Sequence, residues 1–187
     1  MTTIKRVALA IGLVAMSFVS AQSADMRNIL KLGLNSGASL PSNNSSFVMG
    51  IDASYQNISV AGIGWGFATG YIHHFGKENN GIDNNDFGVI PAALLFRFYP
   101  KQLGFYLGGD LGYGFITGND KVAKNNEIER PKGGIYFKPE IGFHNRDWNL
   151  GIHYQKVFIA NKGKIGEQKY SAANFGVTLS YNIPLDK

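Results

Sequence analysis

The sequence predicts an all-β protein, an eight-stranded antiparallel up-and-down barrel that crosses a membrane, and three observations carry that reading. Segments that alternate bulky apolar with small or polar residues recur along the chain, as in Phe175-Gly176-Val177-Thr178-Leu179-Ser180-Tyr181-Asn182-Ile183. A period of two belongs to a strand whose faces see different media. The polar breaks between these segments alternate long and short. The N-terminus, finally, has the residue order of an export signal.

Lys5 and Arg6 precede a largely apolar run over residues 7–19, which ends in the small residues Ser20 and Ala21. Basic, apolar, then small is the order of a secretory signal peptide, and the run is shorter than the ~20 residues of a membrane-spanning helix. Residues 1–21 are therefore expected to be cleaved, with cleavage after Ala24 as the alternative, leaving 22–187 as one barrel domain. The chain has no cysteine, which excludes disulfides and thiolate metal sites. Its formal net charge of +5 includes Lys5 and Arg6, and the remaining basic residues are scattered. No nucleic-acid partner is expected.

Strands are expected at 28–37, 47–56, 59–75, 87–99, 103–117, 133–144, 148–160 and 171–183, each on its own alternation. The first carries Leu30, Leu32 and Leu34, and the second Phe47, Met49, Ile51 and Tyr55. The third carries Ile63, Trp65, Phe67 and Tyr71, and the fourth Ile90, Leu94, Phe96 and Phe98. Phe105, Leu107, Leu111, Tyr113 and Phe115 mark the fifth, and Ile135, Phe137, Ile141 and Phe143 the sixth. The seventh has Trp148, Leu150, Ile152, Tyr154 and Phe158. In an up-and-down barrel alternate connections emerge at the same rim, so all the long breaks, at 39–46, 77–86, 118–132 and 161–169, share one side. Short turns on one side and long loops on the other is the pattern of outer-membrane barrels.

The second parity of each strand is small or charged: Gly33, Gly50, Gly62, Gly64, Gly66, Gly70, Gly108, Gly112, Gly176 and their neighbours. An eight-stranded barrel has an interior just wide enough for side chains to fill it. The bulky set would overfill that interior, so it is expected to face lipid and the small set the lumen. The expected lumen holds Lys31, Arg97 and Lys138 against Asp52, Asp110 and Glu140, with His153 and Gln155 beside them. Unpaired charges there would be very costly, which points to a neutralised network rather than an ion path or a catalytic dyad. Aromatic residues near the strand ends, Phe105, Phe143, Trp148 and Tyr181 at one side and Phe47, Phe75, Phe115 and Phe158 at the other, form two interfacial girdles.

On these features the whole mature chain resembles the small outer-membrane β-barrel proteins of the OmpA, OmpX and OmpW kind. The resemblance implies a bacterial outer-membrane location and a monomer in contact with outer-membrane lipid, delivered by periplasmic chaperones and the barrel-assembly machinery. It implies a structural or surface-interaction role, with the barrel as anchor and four extracellular loops as contact surface for a ligand. The alternative is a narrow channel for small or apolar solutes, as the OmpW-type resemblance implies. The chain departs from the pattern in continuing past Tyr181 through Pro184-Leu185-Asp186-Lys187.

Other chemistry reads weakly. The glycines around Gly64 lack the following helix of a nucleotide motif, Phe87 spoils Asp83-Asn84-Asn85-Asp86 as a calcium loop, and His73 and His74 point to opposite faces of one strand. His153-Tyr154-Gln155, followed by Asn161, Gly163 and Glu167, resembles the His-x-Ser segment of outer-membrane lipid A deacylases. Gln155 stands where the nucleophilic serine would be, and an amide cannot replace it. No catalytic residue, metal or cofactor is expected, and a lipid A-modifying enzyme is the remote alternative.

Overall fold

The computed structural model describes residues 27–60, 62–101 and 103–185. The export segment at 1–21, and residues 22–26 with it, lie outside the described residues. The strands are β1 (Asn28–Ser39), β2 (Ser45–Val60), β3 (Ile63–Gly76), β4 (Glu78–Asn79), β5 (Ile82–Asp83), β6 (Phe87–Phe98), β7 (Gly104–Gly118), β8 (Gly133–His144), β9 (Trp148–Phe158) and β10 (Ala172–Pro184). Eight of them close in the order β1-β10-β9-β8-β7-β6-β3-β2, and β4-β5 is a small separate ribbon. Every barrel pair is antiparallel, and closure runs from Ile29 opposite Pro184 to Ser39 opposite Asn174. The fold class expected from the alternation is the one observed.

The bulky parity faces outward, with Leu34 65% and Phe105 71% exposed. Ring pairs band both ends of this wall: Trp148–Tyr181 at 5.0 Å and Phe105–Phe143 at 5.6 Å near the short turns, Phe47–Phe75 at 6.0 Å and Tyr113–Phe115 at 4.9 Å near the loops. Such a surface has no favourable contact with water and suits hydrocarbon flanked by two interfaces.

Three local features depart from the sequence reading. The third strand was expected from 59, but β2 continues to Val60 and β3 begins at Ile63, with a turn between them. Gly62, assigned to the lumen by parity, sits in that turn at φ +80, in the region glycine enters without a Cβ clash. Its carbonyl accepts the Tyr99 N–H at 2.7 Å, tying the turn to the neighbouring connection. Second, the break at 77–86 holds the β4-β5 ribbon. Third, the inner face is not small or charged throughout. At the loop end it is apolar, where Val48, Ile72, Phe87, Val89, Ile116, Tyr136 and Val157 pack with Val122, Ile159 and Tyr170 from the loops. These apolar side chains fill the barrel mouth, each contributing ~1.5–3 kcal/mol when fully buried.

Pro91 and Pro139 each interrupt one ladder and leave the other intact. Pro91 keeps its place opposite Gly114 on β7 while the β3-β6 pairing skips from Thr69 to Ile72. Pro139 stands opposite Gly109 on β7, and the β8-β9 pairing skips from Phe137 to Glu140. A proline lacks one N–H, so it takes one hydrogen bond from one side of the sheet.

Gly62→Ala places a Cβ 2.8 Å from the Tyr99 carbonyl oxygen and forces alanine to a positive φ. The expected cost is about 1–2 kcal/mol, read as a lower urea midpoint for the vesicle-embedded barrel followed by Trp65 and Trp148 fluorescence.

Candidate functional site

Inward positions on four strands bring a chain of charges into the middle of the lumen: Asp52 on β2, Arg97 on β6, Asp110 on β7, and Lys138 and Glu140 on β8. Arg97 Nη1 donates to Asp110 Oδ1 at 2.7 Å and to the Phe96 carbonyl at 2.9 Å. Its Nη2 lies 3.6 Å from Glu140 Oε1. Lys138 Nζ lies 3.7 Å from the other oxygen of Glu140 and 3.2 Å from Asp52 Oδ2. The chain thus runs Asp110, Arg97, Glu140, Lys138, Asp52, and Tyr106 Oη donates to Glu140 Oε1 at 2.6 Å. Gly108, opposite Arg97 in the register, leaves room for the guanidinium, because a Cβ there would overlap the Arg97 side chain.

Of the other expected lumen residues, Lys31 and Gln155 lie apart from this chain, while His153 stands opposite Glu140 in the β8-β9 register. Lys31 is buried near the short turns, where Nζ donates to Tyr99 Oη at 2.9 Å and to Asn149 Oδ1 at 3.5 Å. It sits over the Tyr99 and Tyr106 rings, 5.6 and 5.9 Å from their centroids. Two cations therefore meet three carboxylates directly, and the third positive charge stands one aromatic layer away. His153 is held through both ring nitrogens, Nε2 3.3 Å from Asn174 Oδ1 and Nδ1 3.0 Å from Thr178 Oγ1. Gln155 Oε1 accepts from Tyr136 Oη at 3.2 Å. Both residues are inward and buried, so the segment resembling a lipid A deacylase does not face lipid.

Sequence reasoning placed Tyr106 on the inward parity but missed Tyr99, Tyr136 and the asparagines that complete this interior, and also the apolar plug above it. The plug had a readable signal. At the loop ends of five strands the alternation fails and two bulky residues follow one another: Phe47-Val48, Tyr71-Ile72, Val89-Ile90, Phe115-Ile116 and Val157-Phe158. Both faces are apolar there because one meets lipid and the other meets the plug.

Between the charged side chains the lumen keeps a cavity of about 40 Å³, the scale of a very few water molecules. At the short-turn end Tyr99 donates to Gln56 at 3.0 Å and Asn149 to Asn182 at 2.6 Å. At the other end the loops bond to one another. Gln168 donates to Asn84 and Asn79 to Gln168, at 2.8 and 2.9 Å. Asn85 N–H reaches the Val122 carbonyl at 2.9 Å, and Asn44 is paired with the backbone of Ser171 in both directions. Arg130 donates to the carbonyls of Ile116, Asn119 and Pro131. Burial raises the Tyr170 phenol well above its usual range, against the opposing pull of Arg130, so it stays neutral in the plug. On the outside, His73 bridges Tyr71 Oη and Asp86, each at 3.2 Å, while His74 is buried inside against Phe87.

A closed eight-stranded antiparallel barrel with a packed polar lumen and an apolar outer belt has the architecture of a transmembrane β-barrel. The outer-membrane protein Ail of Yersinia pestis in a phospholipid bilayer nanodisc shares the fold, with a TM-score of 0.50 at 11% identity over 85% of this chain and 100% of that one. The crystal structure of Ail, the attachment invasion locus protein, aligns at 0.49 and 12% identity over 83% of this chain and 97% of that one. Neisserial surface protein A aligns at 0.49 and 13% over 87% and 100%. No protein-family model and no curated protein matches the chain.

Arg97→Leu strips both buried carboxylates of their guanidinium partner and is expected to cost about 3–5 kcal/mol of unfolding free energy. Replacing Arg97 and Asp110 together by leucine recovers part of that loss. Urea titrations of the three proteins in the same vesicles check the order.

Proposed function

We propose that the protein is an integral outer-membrane barrel with a structural or surface-interaction role, in which a closed barrel anchors a platform of four loops. The observation that carries this reading is the crowded lumen: a polar floor, a charge network around a cavity of only about 40 Å³, an apolar plug and loops tied to one another. A conducting pore needs a water path, whereas an anchor gains from a rigid, fully packed interior. Loops that are cross-bonded present one fixed surface, which lowers the ordering cost of meeting a partner.

The narrow-channel reading makes the opposite demand on the same feature. In planar bilayers the folded chain is expected to give no reproducible unitary conductance. Stepwise currents that change in size in Arg97→Ala would overturn the closed-anchor reading in favour of a channel. Purified chain that dissolves without detergent and shows no heat-dependent gel mobility would remove the membrane reading altogether.

A further inference from the structure

We infer that the barrels stand side by side in the membrane, the wall over β9 of one copy seated on the wall over β3 of a second copy. In the ring of eight strands β9 and β3 are diametrically opposed. The contact therefore joins two different faces, and its repetition builds a row rather than a closed dimer. This arrangement goes beyond the anchor role, rests on the membrane-barrel reading, and departs from the monomer that the family resemblance implies.

Two features match across these faces, and the first is shape. Over β3 the outer wall is indented by a groove of about 670 Å³. Ala53, Thr69 and Ala92, opposite one another in register on β2, β3 and β6, line it together with the larger Tyr55, Phe67 and Leu94. Over β9 the outward row is bulky instead, with Ile152 and Tyr154. Both strands run from a short turn toward the loops, and Tyr154 stands as far along β9 from Trp148 as Thr69 does along β3 from Ile63. A ridge thus faces a hollow at equal depth. In lipid, where burying apolar surface brings no gain, close packing of this kind is what draws protein surfaces together.

Charge supplies the second match. Among the described residues, Lys156 is the one lysine or arginine at an outward position of a barrel strand. Its Nζ lies 5.0 Å from the centroid of the Phe158 ring, and among the described residues no carboxylate is within ion-pair distance. An ammonium group on a lipid-facing wall is costly unless it reaches an anion. Phe158 stands as far along β9 as His73 does along β3, and at His73 the opposite face holds a carboxylate. Asp86 Oδ2 lies 3.2 Å from His73 Nε2, and its Oδ1 accepts the Gly76 N–H at 2.7 Å. These contacts fix Asp86 against the wall and leave its side chain 57% exposed, with lone pairs free for a further donor. With Tyr154 of one copy in the groove of the next, Lys156 and Asp86 meet at the same height.

The chain has no cysteine, so introduced thiols report single positions. The full folded chain carrying Thr69→Cys and Tyr154→Cys is reconstituted at high dilution in phosphatidylcholine vesicles and treated with a short bis-maleimide. The double variant is expected to give a ladder of dimers, trimers and longer products, and either single variant to stay monomeric. In the double-cysteine background Lys156→Gln lowers the cross-linked fraction about fivefold, Lys156→Glu lowers it further, and Lys156→Glu with Asp86→Lys restores it. Absence of a ladder would leave lipid as the occupant of the groove and overturn the proposal, with the barrel reading intact. Dimers from a single variant as abundant as the products of the double one would show a symmetric contact and overturn it as well, as would a ladder that Lys156→Gln leaves unchanged. Heat-dependent gel mobility shows that each variant has folded, and its failure in the wild type would overturn the proposal and the barrel reading together.

Discussion

In hydrocarbon a backbone N–H or C=O has no water to turn to, and each one left alone costs several kcal/mol. Pairing β1 with β10 meets that demand along the whole circumference, and the remaining architecture follows from the closure. Because the sheet closes, its two faces become an outside and an inside, and residue parity alone decides which side chains meet lipid. Even the exceptions obey the constraint. Pro91 and Pro139 each forgo one N–H and one side of pairing, and both keep their place in the ladder with β7.

Closure also fixes what the interior must be. The outward rows are free to be large, but the inward rows share a narrow space, so residues opposite a long side chain are small. Arg97 and Gly108 are such a pair. The charges that remain inside are then close enough to compensate one another without help from solvent. The network costs desolvation, and its return is specificity of packing more than net stability. Near the loops the same space is filled by Val48, Ile72, Val89, Ile116 and Val157, which need no partner.

The barrel and its two faces were legible because a period of two is a local signal repeated eight times, and errors at one strand end do not propagate. The inward residues Lys31, Asp52, Arg97, Asp110, Lys138, Glu140, His153 and Gln155 were legible as positions for the same reason. Their partners were not. Which carboxylate Arg97 reaches depends on barrel shear and on Gly108, and nothing in the spacing of Lys31 and Asp110 reveals that an aromatic layer separates them. The turn at Gly62 was misjudged because a glycine on the lumen parity and a glycine in a tight turn look the same in one sequence. The loop bonds among Asn44, Asn79, Asn84 and Gln168 join residues far apart in the chain, beyond the reach of any local pattern.

Those long-range loop bonds bear on the order of assembly. Asn44 lies in the first loop and Ser171 at the end of the last, 127 residues apart, and they become neighbours only once β10 has found β1. The bonds across the loop crown therefore cannot form on a sheet that is still open. A crown that is fully knit is a late structure, and it records at the loop end of the barrel that the seam on its flank has closed.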